Sequence, residues 1–517
     1  MKHSKKLASL LLALVMALSL AVTAFADEST TYSITINNST AGHTYEAYQI
    51  FTGDLATNEA GNKVLSNIVW GSGVSEAGQT ALGDAAAKTE TLKTEADAKA
   101  FAKAVAPYLT TAAGSANTVT DGKYVISGLA AGYYLVKDQD GSLIGDNDSY
   151  TEYIIQVVGN VTATPKSDVP EVQKKVKDIN DSTDTTKTDW QDSADYDIGD
   201  SIPFQLKATL ADNVSSYTTY KVVFHDTLSK GLTYNNDAKV YIDGTETNGF
   251  TVTATVNADG TTTLTVSCDD VKALGAGNSS VITVEYTAKL NENAVLGSAG
   301  NPNEVYLEYS NNPNKSEEGN NETGETPKDV VIVFTYKTII NKVDSETKPL
   351  TGAAFKLEKL IKGEDGAADT WTTIKEFAVD GTTTSFTFSG LDDGQYKLTE
   401  TKTPVGYNTI DPIYFVIEAT HGETADVPTL KTLNAYLTDA NGNKQTEMKD
   451  GESVNIDLGT VDLTAGSITT TVVNKSGSEL PSTGGIGTTI FYVLGGVLVL
   501  AAVVLLVTKK RMSGAEK

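Results

Sequence analysis

FTVTATVNADGTTTLTVS, residues 250–267, reads as two strands joined by a turn. Phe250 to Val256 and Thr261 to Ser267 are rich in Val and Thr, whose branched side chains suit a pleated strand. Between them, Asn257-Ala258-Asp259-Gly260 supplies residues that fold a chain back as a hairpin. The same texture extends in both directions. Tyr32 to Asn37, Tyr133 to Lys137, Tyr153 to Val158 and Val281 to Leu290 are short Val, Ile, Thr and Tyr runs bounded by turn residues. One stretch departs from it: Glu95 to about Leu109 places Ala98, Phe101, Ala102 and Val105 on one helical face. The pattern predicts an all-β chain of tandem sandwich domains. Pro-bearing segments at Thr164 to Pro170 and near Thr326-Pro327 divide it into three blocks.

The ends carry other signals. Lys2, Lys5 and Lys6 precede an apolar run from Leu7 to about Ala24, closing on Ala24-Phe25-Ala26. That is the layout of a secretory signal peptide, a signal helix within residues 1–26. Far downstream, Leu480-Pro481-Ser482-Thr483-Gly484 is followed by an uncharged apolar run, Ile486 to Val507, and then by Lys509, Lys510 and Arg511. The run is about long enough to cross a bilayer as a helix, and the basic cluster stays cytoplasmic, so the bulk of the chain faces outward. LPxTG, span and basic tail over residues 476–517 resemble the cell-wall sorting signal of Gram-positive surface proteins. The resemblance implies that a sortase cuts between Thr483 and Gly484 and passes the Thr483 carbonyl to an amine.

Composition narrows the middle. The 517 residues hold 66 acidic and 40 basic side chains, a net charge of -26, which argues against nucleic acid as a partner. Cys268 is the only cysteine, so an exported chain of this size must be stabilised without intrachain disulfides. With only 4 histidines, no Ser-His-Asp, Cys-His or metal-ligand arrangement stands out. An enzyme in the turnover sense is not expected, and neither is a cofactor or metal. His43 reads as a surface residue, Asp138 to Asp148 as a solvated turn, and the acidic stretch Asp178 to Asp200 as a loop with a solvated edge.

Strand parity then singles out polar residues on apolar faces. In Glu171 to Val176, Lys174 lines up with Val172 and Val176, which leaves Lys175 facing water. In Val222 to Leu228, Asp226 shares a face with Val222, Phe224 and Leu228, while His225 points the other way. Asn303 lines up with Val305, Leu307 and Tyr309. A buried lysine is pushed toward its neutral, nucleophilic amine. A buried carboxylic acid stays protonated and can polarise a carbonyl. If the three meet, the Lys174 amine can attack the Asn303 side-chain carbonyl and expel ammonia, with fixed proximity replacing an enzyme. Asn301 is an alternative to Asn303.

Longer strings connect this chemistry to a family. WQDSADYDIGDSIPFQLKATL and YKVVFHDTLSKGLTYNND look like the isopeptide-forming domain of fimbrial backbone proteins. IINKVDSETKPLTGAAFKLEK and YKLTETKTPVGY resemble the B-type, prealbumin-like (Cna-type) repeat of collagen adhesins, the second string being the pilin E-box. That resemblance implies a second centre of Lys342, Glu400 and Asn474. GHTYEAYQIFTGDL and GLAAGYYLVKD look like the N-terminal domain of shaft pilins, and Thr164-Pro165-Lys166 resembles the pilin motif, with Thr164 where Tyr is usual. Lys166 is then the amine that sortase joins to the next subunit, with Lys174, Lys175 and Lys177 as neighbouring candidates.

The expected protein is a sortase-assembled major pilin of SpaA type with immunoglobulin-like and prealbumin-like sandwiches. Its blocks are 27–166, 169–328 and 329–475. Expected partners are pilus-specific and housekeeping sortases, identical subunits head-to-tail, minor pilins and peptidoglycan, with the membrane only before sorting. A wall-anchored adhesin that binds a host ligand shares the signals but has no need of Lys166.

Overall fold

The computed structural model describes residues 30–145, 147–165, 168–316, 321–445 and 456–477, together with 494, 497–504 and 506. The expected signal peptide, Lys166 and the LPSTG stretch 480–484 lie outside the described residues. Of the expected span 486–507, residues 497–504 are helical. Among the described residues no helix is long and apolar enough to cross a membrane.

Strands dominate, and the hairpin at 250–267 forms: Thr251–Val256 pairs antiparallel with Thr262–Cys268. Gly260 closes its turn at a positive φ of 86°, a conformation that costs a glycine nothing. The strands at Tyr32–Asn37 and Val281–Leu290 have the predicted limits. The first block packs a 3-stranded sheet against a 5-stranded one. Ile34, Ile36 and Tyr124 from one sheet meet Tyr45, Tyr134 and Val136 from the other in a closed core. The outer face of the 5-stranded sheet is covered by helices. Glu95–Val105 supplies Phe101, Ala102 and Val105 as predicted, and Phe101 stacks on Phe51 with centroids 5.4 Å apart. Thr94 and Asp97 form a capping box at its start. Two shorter helices, Glu76–Leu82 and Ala85–Thr91, had no sequence expectation.

The second block joins a 7-stranded and a 6-stranded sheet around a large core that includes Phe204, Leu206, Phe224, Leu264 and Leu307. Asp329–Phe334, counted with the third block from sequence, pairs with Asn301–Ser310 and completes the second block's sheet. The third block faces a 4-stranded sheet with a 5-stranded one, and Phe355 from the second meets Phe386 from the first at 5.0 Å.

The chain forms two compact units. One holds the first two blocks with His421–Lys431; the other holds Asn180–Thr185 and the rest of the third block. Within the first unit, residues 139–150 fasten block one to block two. Tyr150 N–H donates to Asn311 O at 2.8 Å, and Asn311 Nδ2 donates to Leu143 O at 2.8 Å. The base of that loop corrects two expectations. His43 is wholly buried, with Nδ1 2.7 Å from Asp138 Oδ1 and Nε2 2.8 Å from Asp148 Oδ2. Burial works to lower its pKa, but the two carboxylates outweigh it and raise it to about 9. Asp138 and Asp148 are therefore internal ion-pair partners and not a solvated turn.

Candidate functional site: two buried lysine–acid–asparagine clusters

The first cluster lies between the sheets of the second block. Lys174 comes from Glu171–Val176, at the edge of the 6-stranded sheet, opposite Leu206. Asp226 and Asn303 come from two paired strands of the facing sheet, where Leu228 sits opposite Asn303 and Val305 opposite Asp226. Asp226 and Asn303 are thus diagonal neighbours on one inward face. Lys174, Asp226 and Asn303 have no solvent exposure. Lys174 Nζ is hydrogen-bonded to Asp226 Oδ1. Burial pushes the Lys174 amine down and the Asp226 carboxyl up, each against the attraction of the other. Both shifts favour the neutral amine and the neutral acid, the pair that the acyl-transfer chemistry needs.

A fourth residue, missed from sequence, connects them. Tyr286 donates its hydroxyl to Asp226 Oδ2 and accepts from Lys174 Nζ at 3.2 Å and from Asn303 Nδ2 at 2.7 Å. Its signal was present in Val281–Leu290, where Tyr286 shares the inward face with Ile282, Val284 and Ala288. A tyrosine hydroxyl on an apolar face must find a partner. Asn303 Oδ1 is buried without a hydrogen bond, an acceptor poised for polarisation. Asn301, the alternative, is held elsewhere. Its Oδ1 accepts from Val295 N–H at 2.8 Å, and its Nδ2 donates to Val295 O and Val333 O, both at 3.1 Å. Tyr286→Phe keeps the ring and removes the hydroxyl that touches all three groups. It is expected to slow formation of a Lys174–Asn303 link without preventing folding. Time-resolved peptide mass mapping of freshly synthesised protein reads this, and an unchanged rate makes Tyr286 only a packing residue.

The second cluster lies in the third block. Lys342 and Asn474 sit on adjacent parallel strands, with Lys342 opposite Val472 and Asp344 opposite Asn474. Glu400 comes from Gly394–Lys402 on the facing sheet. Here the acid holds the amide: Asn474 Nδ2 donates to Glu400 Oε1 at 2.9 Å and Oε2 at 3.0 Å. Lys342 Nζ donates instead to Val343 O at 2.9 Å and Val472 O at 3.1 Å. Burial lowers its pKa to about 8, although Glu400 and Asp344 pull it up. Asn474 Oδ1, like Asn303 Oδ1, has no hydrogen bond. A buried lysine is not diagnostic by itself, since Lys359 in the same unit is paired with Asp392 and, at 2.6 Å, with Asp181.

Other sequence expectations fare differently. Lys175 is not simply solvated, because it is half-buried and paired with Asp192. His225 does lie opposite to Asp226, reaching Glu308 Oε2 at 3.0 Å. The acidic stretch is a solvated loop only in part: residues 183–189 are exposed, whereas Asp192, Asp195 and Asp197 are buried.

Fold and clusters define a class: an all-β protein of tandem sandwiches with a lysine, an acid and an asparagine buried in two of them. The family pattern of the Gram-positive pilin backbone subunit 2, Cna-B-like domain matches residues 198–313. The SpaA prealbumin-like fold domain matches 337–432, and the LPXTG cell wall anchor motif matches 472–513. The chain is a backbone pilin, a shaft subunit of a pilus anchored to the Gram-positive cell wall. It is 26% identical over 460 residues to the trypsin-resistant surface T6 protein of Streptococcus pyogenes serotype M6, covering 76% of this chain and 77% of that one. Its fold is similar to the solved T6 backbone pilin of that serotype, with a TM-score of 0.54 and 19% identity over 89% of this chain and 100% of the other.

Proposed function

We propose that sortase joins the Thr483 carbonyl of one subunit to the Lys166 amine of the next, and that each subunit makes two isopeptide bonds of its own. A pilus-specific sortase polymerises the fibre and a housekeeping sortase transfers its base to peptidoglycan. Donor and acceptor are different surfaces, so the contact is heterologous and repeats into an open filament. We place the domains at 27–166, a second from 169 that takes in the strand ending at Phe334, in place of the expected end at 328, and a third from there to 475.

Within each subunit, Lys174 Nζ attacks Asn303 Cγ and Lys342 Nζ attacks Asn474 Cγ. A C–N bond forms, the amide nitrogen leaves as ammonia, and Asp226 or Glu400 relays the proton from the attacking amine to that leaving nitrogen. Each centre acts once on its own chain, so the protein is a self-modifying structural subunit. The carrying observation is the burial of Lys174, Asp226 and Asn303 around one tyrosine hydroxyl.

The test is intact mass and peptide mapping of the mature chain. A deficit of two ammonia masses is expected, with crosslinked peptides pairing Lys174 with Asn303 and Lys342 with Asn474. A chain of full calculated mass sinks both bonds and leaves only the sortase linkage.

A further inference from the structure

Three side chains of the first unit that neither crosslinking centre uses converge elsewhere. His421 ends the strand Ile413–His421, Asp195 ends the short strand Ser193–Asp195, and Asp178 follows Glu171–Val176. His421 and Asp195 are buried and Asp178 is half-buried, with one potential ligand atom from each lying within 4.8 Å of the others. His421 Nε2 stands 3.4 Å from Asp178 Oδ2 and 3.9 Å from Asp195 Oδ1. A charge-assisted N–H···O bond is shorter, about 2.7–2.9 Å. The nearer spacing instead matches the edge, about 3.4 Å, of a tetrahedron of nitrogen and oxygen ligands placed about 2.1 Å from a central ion.

The surroundings orient His421 and Asp178 for that role. His421 Nδ1 lies 2.7 Å from Ser193 Oγ. A proton on Nδ1 donated to that hydroxyl leaves the Nε2 lone pair directed at the carboxylates, the arrangement in which imidazoles bind metals. Phe334 packs beside the ring, with centroids 5.8 Å apart, and restricts its rotation. Asp178 Oδ1 accepts the backbone N–H groups of Ile179 at 2.9 Å and Asp195 at 3.3 Å, which fixes the carboxylate with Oδ2 on the histidine side. Gln191 Nε2 reaches the same Oδ2 at 3.4 Å, a long contact that a cation would outcompete.

We propose that Asp178, Asp195 and His421 bind one divalent transition-metal ion of the zinc class, with water completing its coordination. One imidazole with two carboxylates suits a borderline ion, whereas calcium and magnesium take oxygen ligands. A doubly charged cation also offsets the charge of the two carboxylates. The chain's net charge of -26 raises the local cation concentration around it. Bound there, the ion braces three chain segments without any covalent chemistry and is removable by a chelator.

The test uses the mature chain from Asp27 onward, stripped with EDTA and titrated calorimetrically with zinc chloride and, separately, calcium chloride. One zinc ion per chain is expected, with a rise in melting temperature that EDTA reverses. His421→Ala abolishes the binding. Ser193→Ala keeps every ligand but releases the imidazole, and weakens binding about 10–100-fold. X-ray absorption at the zinc edge of the unmutated chain reads one imidazole nitrogen among oxygen ligands, whether or not the variants fold. Absence of zinc binding, binding that survives His421→Ala, calcium binding as tight as zinc, or a shell without imidazole overturns the proposal. Absence of binding leaves the trio a contact between one imidazole and two carboxylates; the other outcomes place the cation on other ligands.

Discussion

Asp226→Ala yields a mature chain heavier than expected for the unmutated protein by one ammonia, after allowing for the substitution, and melting far lower. Its peptide map lacks the Lys174–Asn303 link and retains Lys342–Asn474. The prediction follows from where Asp226 sits. It is the acid bonded to the Lys174 amine and, through Tyr286, to the Asn303 amide. Without it, the groups that remain, Lys174, Tyr286 and Asn303, include no carboxyl to polarise the amide and take up the amine's proton. Two losses then add. The link closes a loop of more than a hundred residues, which by the chain-entropy argument used for disulfides stabilises by about 4–5 kcal/mol. Lys174 is also left wholly buried without its hydrogen-bonding acid, a defect worth about 1–3 kcal/mol. At roughly 2–4 °C per kcal/mol for a domain of this size, the melting temperature falls on the order of 10 °C or more. Lys174→Met removes the link without leaving a buried amine unpaired, and Asp226, whose burial favours the neutral acid, keeps the Tyr286 hydroxyl as a partner. Its melting temperature is expected between those of Asp226→Ala and the unmutated chain. Persistence of the crosslinked peptide in Asp226→Ala excludes Asp226 as the promoting acid.

How much of this was legible from sequence depended on whether a residue had periodic context. Lys174, Asp226 and Asn303 each interrupt a regular apolar face, so parity alone placed all three inward, while their meeting in one cluster rested on the resemblance to the isopeptide-forming fimbrial domain. Lys342 was harder because its strand is apolar on both faces. It was placed through the resemblance of its neighbours to the B-type repeat. Tyr286 was hidden for the opposite reason: an aromatic on an inward face looks like ordinary core until its hydroxyl is followed. His43 had no periodic signal at all. Its partners lie 95 and 105 positions away, and only the folded chain brings them to it. His421 is the same case, a lone histidine whose acids sit in a stretch that composition alone marks as surface. Residues that break a pattern can be found locally, whereas residues that gain meaning from distant partners cannot.

Lys166→Arg is expected to abolish the SDS-resistant ladder that the unmutated chain forms when coexpressed with a pilus sortase, leaving monomer. Arginine keeps the positive charge and the length, but its guanidinium does not deprotonate and cannot serve as the attacking amine. The nearby lysines are poor substitutes for physical reasons. Lys174 has no solvent exposure and its amine is committed to Asp226. Lys175 is half-buried in an ion pair with Asp192. Lys177 holds its amine 5.0 Å from the centroid of the Trp190 ring, a cation–π contact that must be broken before it can react. The segment leading to Lys166 is presented differently. Val161–Ala163 adds to the edge of Tyr32–Asn37 as a parallel strand, and Thr164 Oγ1 accepts from Asn37 Nδ2 at 3.2 Å. The chain is thereby anchored at Thr164, two positions before the lysine in sequence. Lys177→Arg should leave the ladder intact. A ladder that survives Lys166→Arg and disappears in Lys177→Arg moves the acceptor past the domain boundary, and one that survives both removes this whole segment from consideration.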